Sequence, residues 1–120
     1  MLISSQDYHY FRGLTPFMST YLGVDSVVSD VNHSSVAGVG SVFGGLGPYS
    51  LSYPFGNYSD HITPTVSSEV AFTGDYGNAA VNYNGGIYQT TFWGFPFDAL
   101  PGLSDRQDAM GDFLTWCRPP

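Results

Sequence analysis

The chain has 120 residues and no lysine, so Arg12, Arg106 and Arg118 stand against ten acidic side chains and the formal net charge is −7. Nucleic acids and anionic membranes are held by Lys and Arg on phosphate, and this balance argues against both as partners. A lone cysteine, Cys117, excludes an internal disulfide, while the length suits one domain able to bury about two thirds of the surface its unfolded form exposes.

Leu2 to Ser5 is the first predicted strand. Ser4-Ser5-Gln6-Asp7-Tyr8-His9 then places two hydroxyls, a carboxylate and an imidazole at its end, where open α/β sheets carry their sites. Ser5, Asp7 and His9 are therefore the candidate catalytic set. The glycines of Gly-x-Ser-x-Gly, which expose a nucleophile on a strained turn, are absent, so a polar turn is the competing reading. In an extended segment Asp7 and His9 share one side.

Thr15 and Pro16 fit the cap and first position of a short helix to Leu22, with Phe17, Met18, Tyr21 and Leu22 as its buried face. Val24 to Val28 is the next predicted sheet strand, in an apolar pattern that runs on to Val31. Gly38 to Asn57 is rich in Gly, Pro, Tyr and Ser and reads as a large surface loop, with Ser41-Val42-Phe43 its one strand core. Tyr49, Tyr53, Phe55 and Tyr58 either pack onto the sheet or form an exposed aromatic face. Such a face beside Asn and Asp side chains is a means of holding carbohydrate, by stacking and hydrogen bonds.

Val70 to Phe72 predicts another strand. A β-hairpin follows: Ala79 to Tyr83, then Asn84-Gly85-Gly86 with its tolerance of positive φ, then Ile87 to Trp93. On the second strand Ile87, Gln89, Thr91 and Trp93 share one face, and Tyr88, Thr90 and Phe92 the other. Large apolar groups on both predict a strand covered on both sides. Ser104 with Gln107 three residues later fits a capping box, Asp105 and Asp108 suit the positive end of a helix dipole, and Arg118 the negative end. The predicted helix, Asp105 to Cys117, turns Ala109, Met110, Phe113, Leu114 and Cys117 to the core, with Cys117 a structural thiol and Pro119-Pro120 a stop. Gly111 is its weak point, by about 1 kcal/mol relative to Ala.

His9, His33 and His61 lack metal-ligand spacing, which argues against zinc. Asn57, Asp60, Asp75 and Asn78 are oxygen donors in glycine-containing loops, the ligand type calcium takes, although no EF-hand or nonapeptide repeat is present. The glycines at 38–40 and 44–47 are followed by no predicted helix that offers its N-terminus to phosphate. No apolar run reaches the roughly 18 residues of a membrane span.

Gly74 to Val81, Tyr88 to Leu100 with its Gly94-Phe95-Pro96-Phe97-Asp98 turn, and Asp105-Arg106-Gln107 to Trp116-Cys117 resemble the C-terminal end of a module of secreted bacterial multidomain proteins, often peptidase-associated. Leu2 to Tyr8 fits the internal strand and following turn of the same module. Its fold is similar to the class I glutamine amidotransferase-like, flavodoxin-like fold. The resemblance implies an α/β domain with a C-terminal hairpin and terminal amphipathic helix, a secreted bacterial location, and no catalytic residues. In that family further strand and helix units precede the Leu2 strand, which implies that residues 1–120 form a partial domain. Its open edge would be covered by a homo-oligomer or by a neighbouring domain of a longer chain.

Two functions are compatible with these residues. One is a noncatalytic accessory or interaction module, with carbohydrate as a fitting partner. The other is a small hydrolase of an ester, lactone or glycan, using Ser5, Asp7 and His9 and a loop-bound calcium.

Overall fold

In a computed structural model describing residues 1–119, β1 (Leu2–Ser4) leads through α1 (Tyr8–Arg12) and α2 (Pro16–Tyr21) to β2 (Val24–Val28) and β3 (Ser35–Gly38). Next come α3 (Gly40–Phe43), β4 (Tyr49–Ser50), β5 (His61–Pro64), β6 (Ser68–Gly74), β7 (Gly77–Asn84), β8 (Gln89–Trp93), a 3-10 turn (Phe97–Ala99) and α4 (Leu103–Trp116). Pro120, half of the predicted helix stop, lies outside the described residues. The fold is mixed α/β. Its main sheet runs in the order β1-β8-β7-β6-β3-β4, and β2 pairs with β5 in a separate antiparallel ribbon. Only β1 and β8 are parallel within the main sheet, because links as short as Asp75-Tyr76 between β6 and β7 form hairpins, whereas parallel neighbours need long crossovers.

Both faces of the central strands are covered, as the alternation in the hairpin predicts. Trp93 points into an aromatic core with Phe43, Phe72, Phe95 and Phe113, closed by α3 and α4. Phe92 points the other way, with Val81, against Met18, Leu22, Val24 and Ile62 of α2 and the ribbon. Trp93 stacks on Phe95 at 5.1 Å and meets Phe72 edge-on at 4.9 Å, and its indole N–H donates to Thr91 Oγ1 on the same face (2.8 Å). That bond satisfies the indole nitrogen inside a largely apolar cluster.

Several boundaries move from their predicted places. The Val24 to Val28 strand leaves the main sheet for the ribbon, where a bulge between Val24 and Ser26 keeps Val24 buried. Ile87 is fully exposed in a loop closed by Gly85 N–H to Tyr88 O (2.9 Å), so the second hairpin strand starts at Gln89. In α2, Thr15 Oγ1 does accept the Met18 N–H (3.3 Å) and Met18 and Leu22 are buried, but Phe17 and Tyr21 face solvent. Ser41-Val42-Phe43 is a helical turn, not a strand. Its Ser41 N–H and hydroxyl both bind Glu69 Oε1 (3.2 and 2.6 Å), and Phe43 reaches the aromatic core. The predicted loop from Gly38 to Asn57 is thus largely tied down.

The C-terminal helix starts earlier than Ser104. Gly102 is its N-cap, and its N–H is accepted by Asp105 Oδ2 (3.0 Å), the reaching-back half of a capping box. Ala109 and Phe113 are buried and Met110 and Cys117 pack beside them, but Leu114 is 55% exposed and Trp116 takes its place against the core. No helix among the described residues is long and apolar enough to cross a membrane.

Candidate functional site

Ser5 follows β1 as a polar turn. Its Oγ accepts the N–H groups of Asp7 (3.2 Å) and Tyr8 (3.0 Å), which opens α1. Because residues 8–12 are helical, Asp7 and His9 do not share one side of a strand. His9 Nδ1 instead lies 3.3 Å from Ser29 Oγ, and among the described residues no hydrogen bond joins His9 to Ser5 or Asp7. The α1 turn is fastened to a distant loop by buried Gln6, whose Nε2 donates to Gly56 O (2.7 Å) and whose Oε1 accepts the Tyr58 N–H (3.0 Å).

That fastening creates a groove of about 270 Å³ lined by Asp7, Tyr10, Phe11, Asp30 and Tyr58. Its aromatic walls are open to solvent: Tyr10 is 65%, Phe11 76% and Tyr58 53% exposed. Asp7 makes no side-chain cap bond to α1, and neither Asp7 nor Asp30 is in an ion pair among the described residues. Asp30 and Asn32 hold left-handed backbone (φ 61° and 63°), a conformation these short polar residues tolerate and one enriched at binding sites.

Beneath the groove lies a buried polar hub centred on His33. Its N–H donates to Ser59 Oγ (2.8 Å), and its carbonyl accepts from Tyr53 Oη and Asn57 Nδ2 (2.8 Å each). Nδ1 accepts the Tyr76 N–H (3.3 Å), which leaves the proton on Nε2 to donate to Asp60 O (3.1 Å). Every polar atom of a fully buried residue is therefore used. Burial holds the His33 pKa below 6.5, against the opposing pull of Asp60 and Asp75. The ring is neutral, so its 3.6 Å approach to Asp75 Oδ1 is a polar contact and not an ion pair. Gly74 faces the same ring, where a Cβ would collide with it.

Ser59 and Asp60 extend the hub to the groove. Ser59 O accepts from Val31 N (2.9 Å) and Asn32 N (3.1 Å), and Asp60 Oδ1 from Asp30 N (3.0 Å), so the segment carrying Asp30 hangs from these two residues. Asp60 is fully buried and its Oδ2 has no partner among the described residues. Burial raises its pKa to about 7, helped by the negative charges of Asp30 and Asp7, despite the bond from Asp30 N–H. Its proton is therefore held well above the usual carboxylate range.

Two of the predicted calcium donors, Asn57 and Asp75, are engaged with the chain. Asn57 Oδ1 accepts from Ser59 N and Oγ (3.1 and 2.7 Å). Asp75 accepts from Ser34 and Ser35; burial alone would raise its pKa, but these bonds bring it below the usual value. Asn78 sits in β7 opposite Thr73. Among the described residues no group of three His, Cys, Asp or Glu side chains is arranged to hold a metal ion.

The four predicted ring residues divide. Tyr49 is buried in the aromatic core, and Tyr53 is spent on the hub, its hydroxyl reaching His33 O and Ser59 Oγ. Phe55 and Tyr58 are exposed, and only Tyr58 lines the groove. Sequence reasoning missed Gln6, Tyr10, Phe11, Asp30, His33 and Ser59. The available signal was the turn-forming Ser29-Asp30 and Asn32-His33 pairs breaking the apolar pattern after Val28. The sequence matches no protein-family model, and it has no significant match among curated proteins or solved structures.

Proposed function

We propose that this chain is a noncatalytic interaction module of a secreted bacterial protein and that it binds carbohydrate in the groove lined by Asp7, Tyr10, Phe11, Asp30 and Tyr58. The observation that carries this reading is the pairing of three solvent-open rings with two carboxylates that are in no ion pair among the described residues. Rings stack on the C–H faces of sugars, and carboxylates accept their hydroxyl protons. Ser5 is occupied as a turn-closing acceptor and His9 is bonded to Ser29, an arrangement suited to structure more than to nucleophilic catalysis. The finer fold assignment, a partial flavodoxin-like sheet, belongs to the same proposal and is supported by the parallel β1–β8 pair and the terminal helix. So does self-association, since β1 is an edge strand of the main sheet.

A paired assay tests the function. Ester, lactone and glycoside substrates, with and without a chelator, are expected to give no turnover, while an oligosaccharide panel gives saturable binding that Tyr58→Ala and Phe11→Ala abolish. Turnover that Ser5→Ala removes would replace this reading with the hydrolase. Light scattering tests self-association: a mass that stays at the monomer value at all concentrations contradicts it.

A further inference from the structure

A second cavity, of about 250 Å³, is lined by Ser41, Ser67, Glu69, Asn82, Asn84 and Trp116, with Val66 and Ser68 completing it. It shares no residue with the groove at Tyr58. Asn82 is 2% exposed, its Nδ2 leans on Glu69 Oε1 (3.4 Å), and its Oδ1 has no partner among the described residues. Glu69 crowds its bonds onto one oxygen: Oε1 takes Ser41 N, Ser41 Oγ and Asn82 Nδ2, and Oε2 takes none from the described residues. A buried amide oxygen left without a donor costs about 1–3 kcal/mol, and in native folds such groups are rare enough to need a cause.

We propose that this cavity is a separate binding site for a single sugar ring, which supplies hydroxyl donors to Asn82 Oδ1 and Glu69 Oε2 and lays its C–H face on the Trp116 indole. The chemistry of the lining selects this class. A buried acceptor without a donor, Asn82 Oδ1, beside a carboxylate oxygen free of bonds to the described residues, Glu69 Oε2, asks for a ligand that donates; serine hydroxyls can donate or accept in turn, and an indole favours a ligand with an apolar face. A phosphate or carboxylate ligand is disfavoured, because the Glu69 carboxyl group lines the cavity and, among the described residues, no Lys or Arg does. The volume, below the usual 300–1,000 Å³ of small-molecule pockets, fits one ring better than a chain.

The two tryptophans provide an internal control. Trp93 is fully buried with its N–H on Thr91, whereas Trp116 lines the cavity. In ¹H–¹⁵N spectra of the whole chain titrated with glucose, galactose, mannose and N-acetylglucosamine, at least one sugar is expected to shift the Trp116 indole and the Asn82 side-chain amide saturably while Trp93 stays still. Glu69→Gln should weaken that binding about tenfold, as loss of a charged hydrogen bond does. Ser67→Tyr, at an exposed rim position, should abolish it by filling the cavity. No saturable shift with any of the four sugars overturns the proposal. A shift that both variants leave intact, or one that Trp93 shares equally, overturns it as well.

Discussion

Trp93 and His33 are both fully buried, one in the aromatic core under α4 and the other in the hub under the groove, and they are held in opposite ways. Around Trp93 the contacts are between rings, with one internal hydrogen bond for the indole. Around His33 four polar atoms find partners from three separate segments. The first region draws its stability from area, which is non-directional and independent of pH. The second draws it from directed bonds, where each donor removed strands an acceptor and each titration is felt. The chain thus anchors its sheet with apolar burial and positions its groove with a polar network.

Trp93→Ala should expose that difference most strongly, with a loss of about 3–5 kcal/mol from the cavity it leaves. Denaturant unfolding measures it, and a loss below about 1 kcal/mol would mean that the ring is not in a dry core. Ser59→Ala should cost less, about 1–3 kcal/mol, because the buried His33 N–H loses its acceptor. Its mark should be local, appearing as faster amide exchange in residues 31–33 and 57–60 while α4 stays protected. Uniform loosening of both regions would erase the distinction drawn between them.

The hub should also be the pH-sensitive half. Asp60 moves from an ordinary 3.8 to about 7 in the fold, so between those values the native state keeps a proton that the unfolded chain has released. Its contribution is therefore full below about pH 4 and is lost as pH rises to about 7. His33 acts in the other direction: its pKa lies below 6.5, so its contribution is present above pH 6.5 and falls as the unfolded chain protonates. Asp60→Asn keeps the acceptor for Asp30 N–H and removes the titration. Its stability relative to the parent chain should climb through the first interval and level off above it. A flat difference across that range would place Asp60 in contact with water. The smallest expected effect is Gly111→Ala on the exposed side of α4, where a Cβ meets nothing within 4 Å; a gain of about 1 kcal/mol should follow.

The aromatic half was legible in the sequence and the polar half was not, for one physical reason. Hairpin alternation, the Thr15-Pro16 start of α2 and the stripe at Ala109 and Phe113 are set by neighbours in sequence, and period and capping reveal them. The differences there are local: the pattern puts Ile87 and Leu114 inside, and they lie at a turn and on a helix flank. His33, Ser59 and Gln6 become meaningful only when the sheet brings distant segments together. No spacing rule connects Gln6 to Tyr58 or Asp30 to Asp60. The β2–β5 ribbon escaped for the same reason, since its strand pattern is local and its partner is not. Of the candidate site residues, Asp7 and Tyr58 meet in the groove, while Ser5, Asn57 and Asp75 are bonded within turns and the hub.

The groove, held in shape by the hub, is the proposed carbohydrate site. Residue-by-residue mapping of backbone ¹H–¹⁵N shifts during titration with a binding oligosaccharide tests it most directly. The account predicts the dominant saturable changes at residues 7–11, 30 and 56–60, with α4 and the aromatic core unmoved. Dominant changes instead along the exposed Phe17 and Tyr21 face of α2, or spread evenly over the sheet, would contradict it.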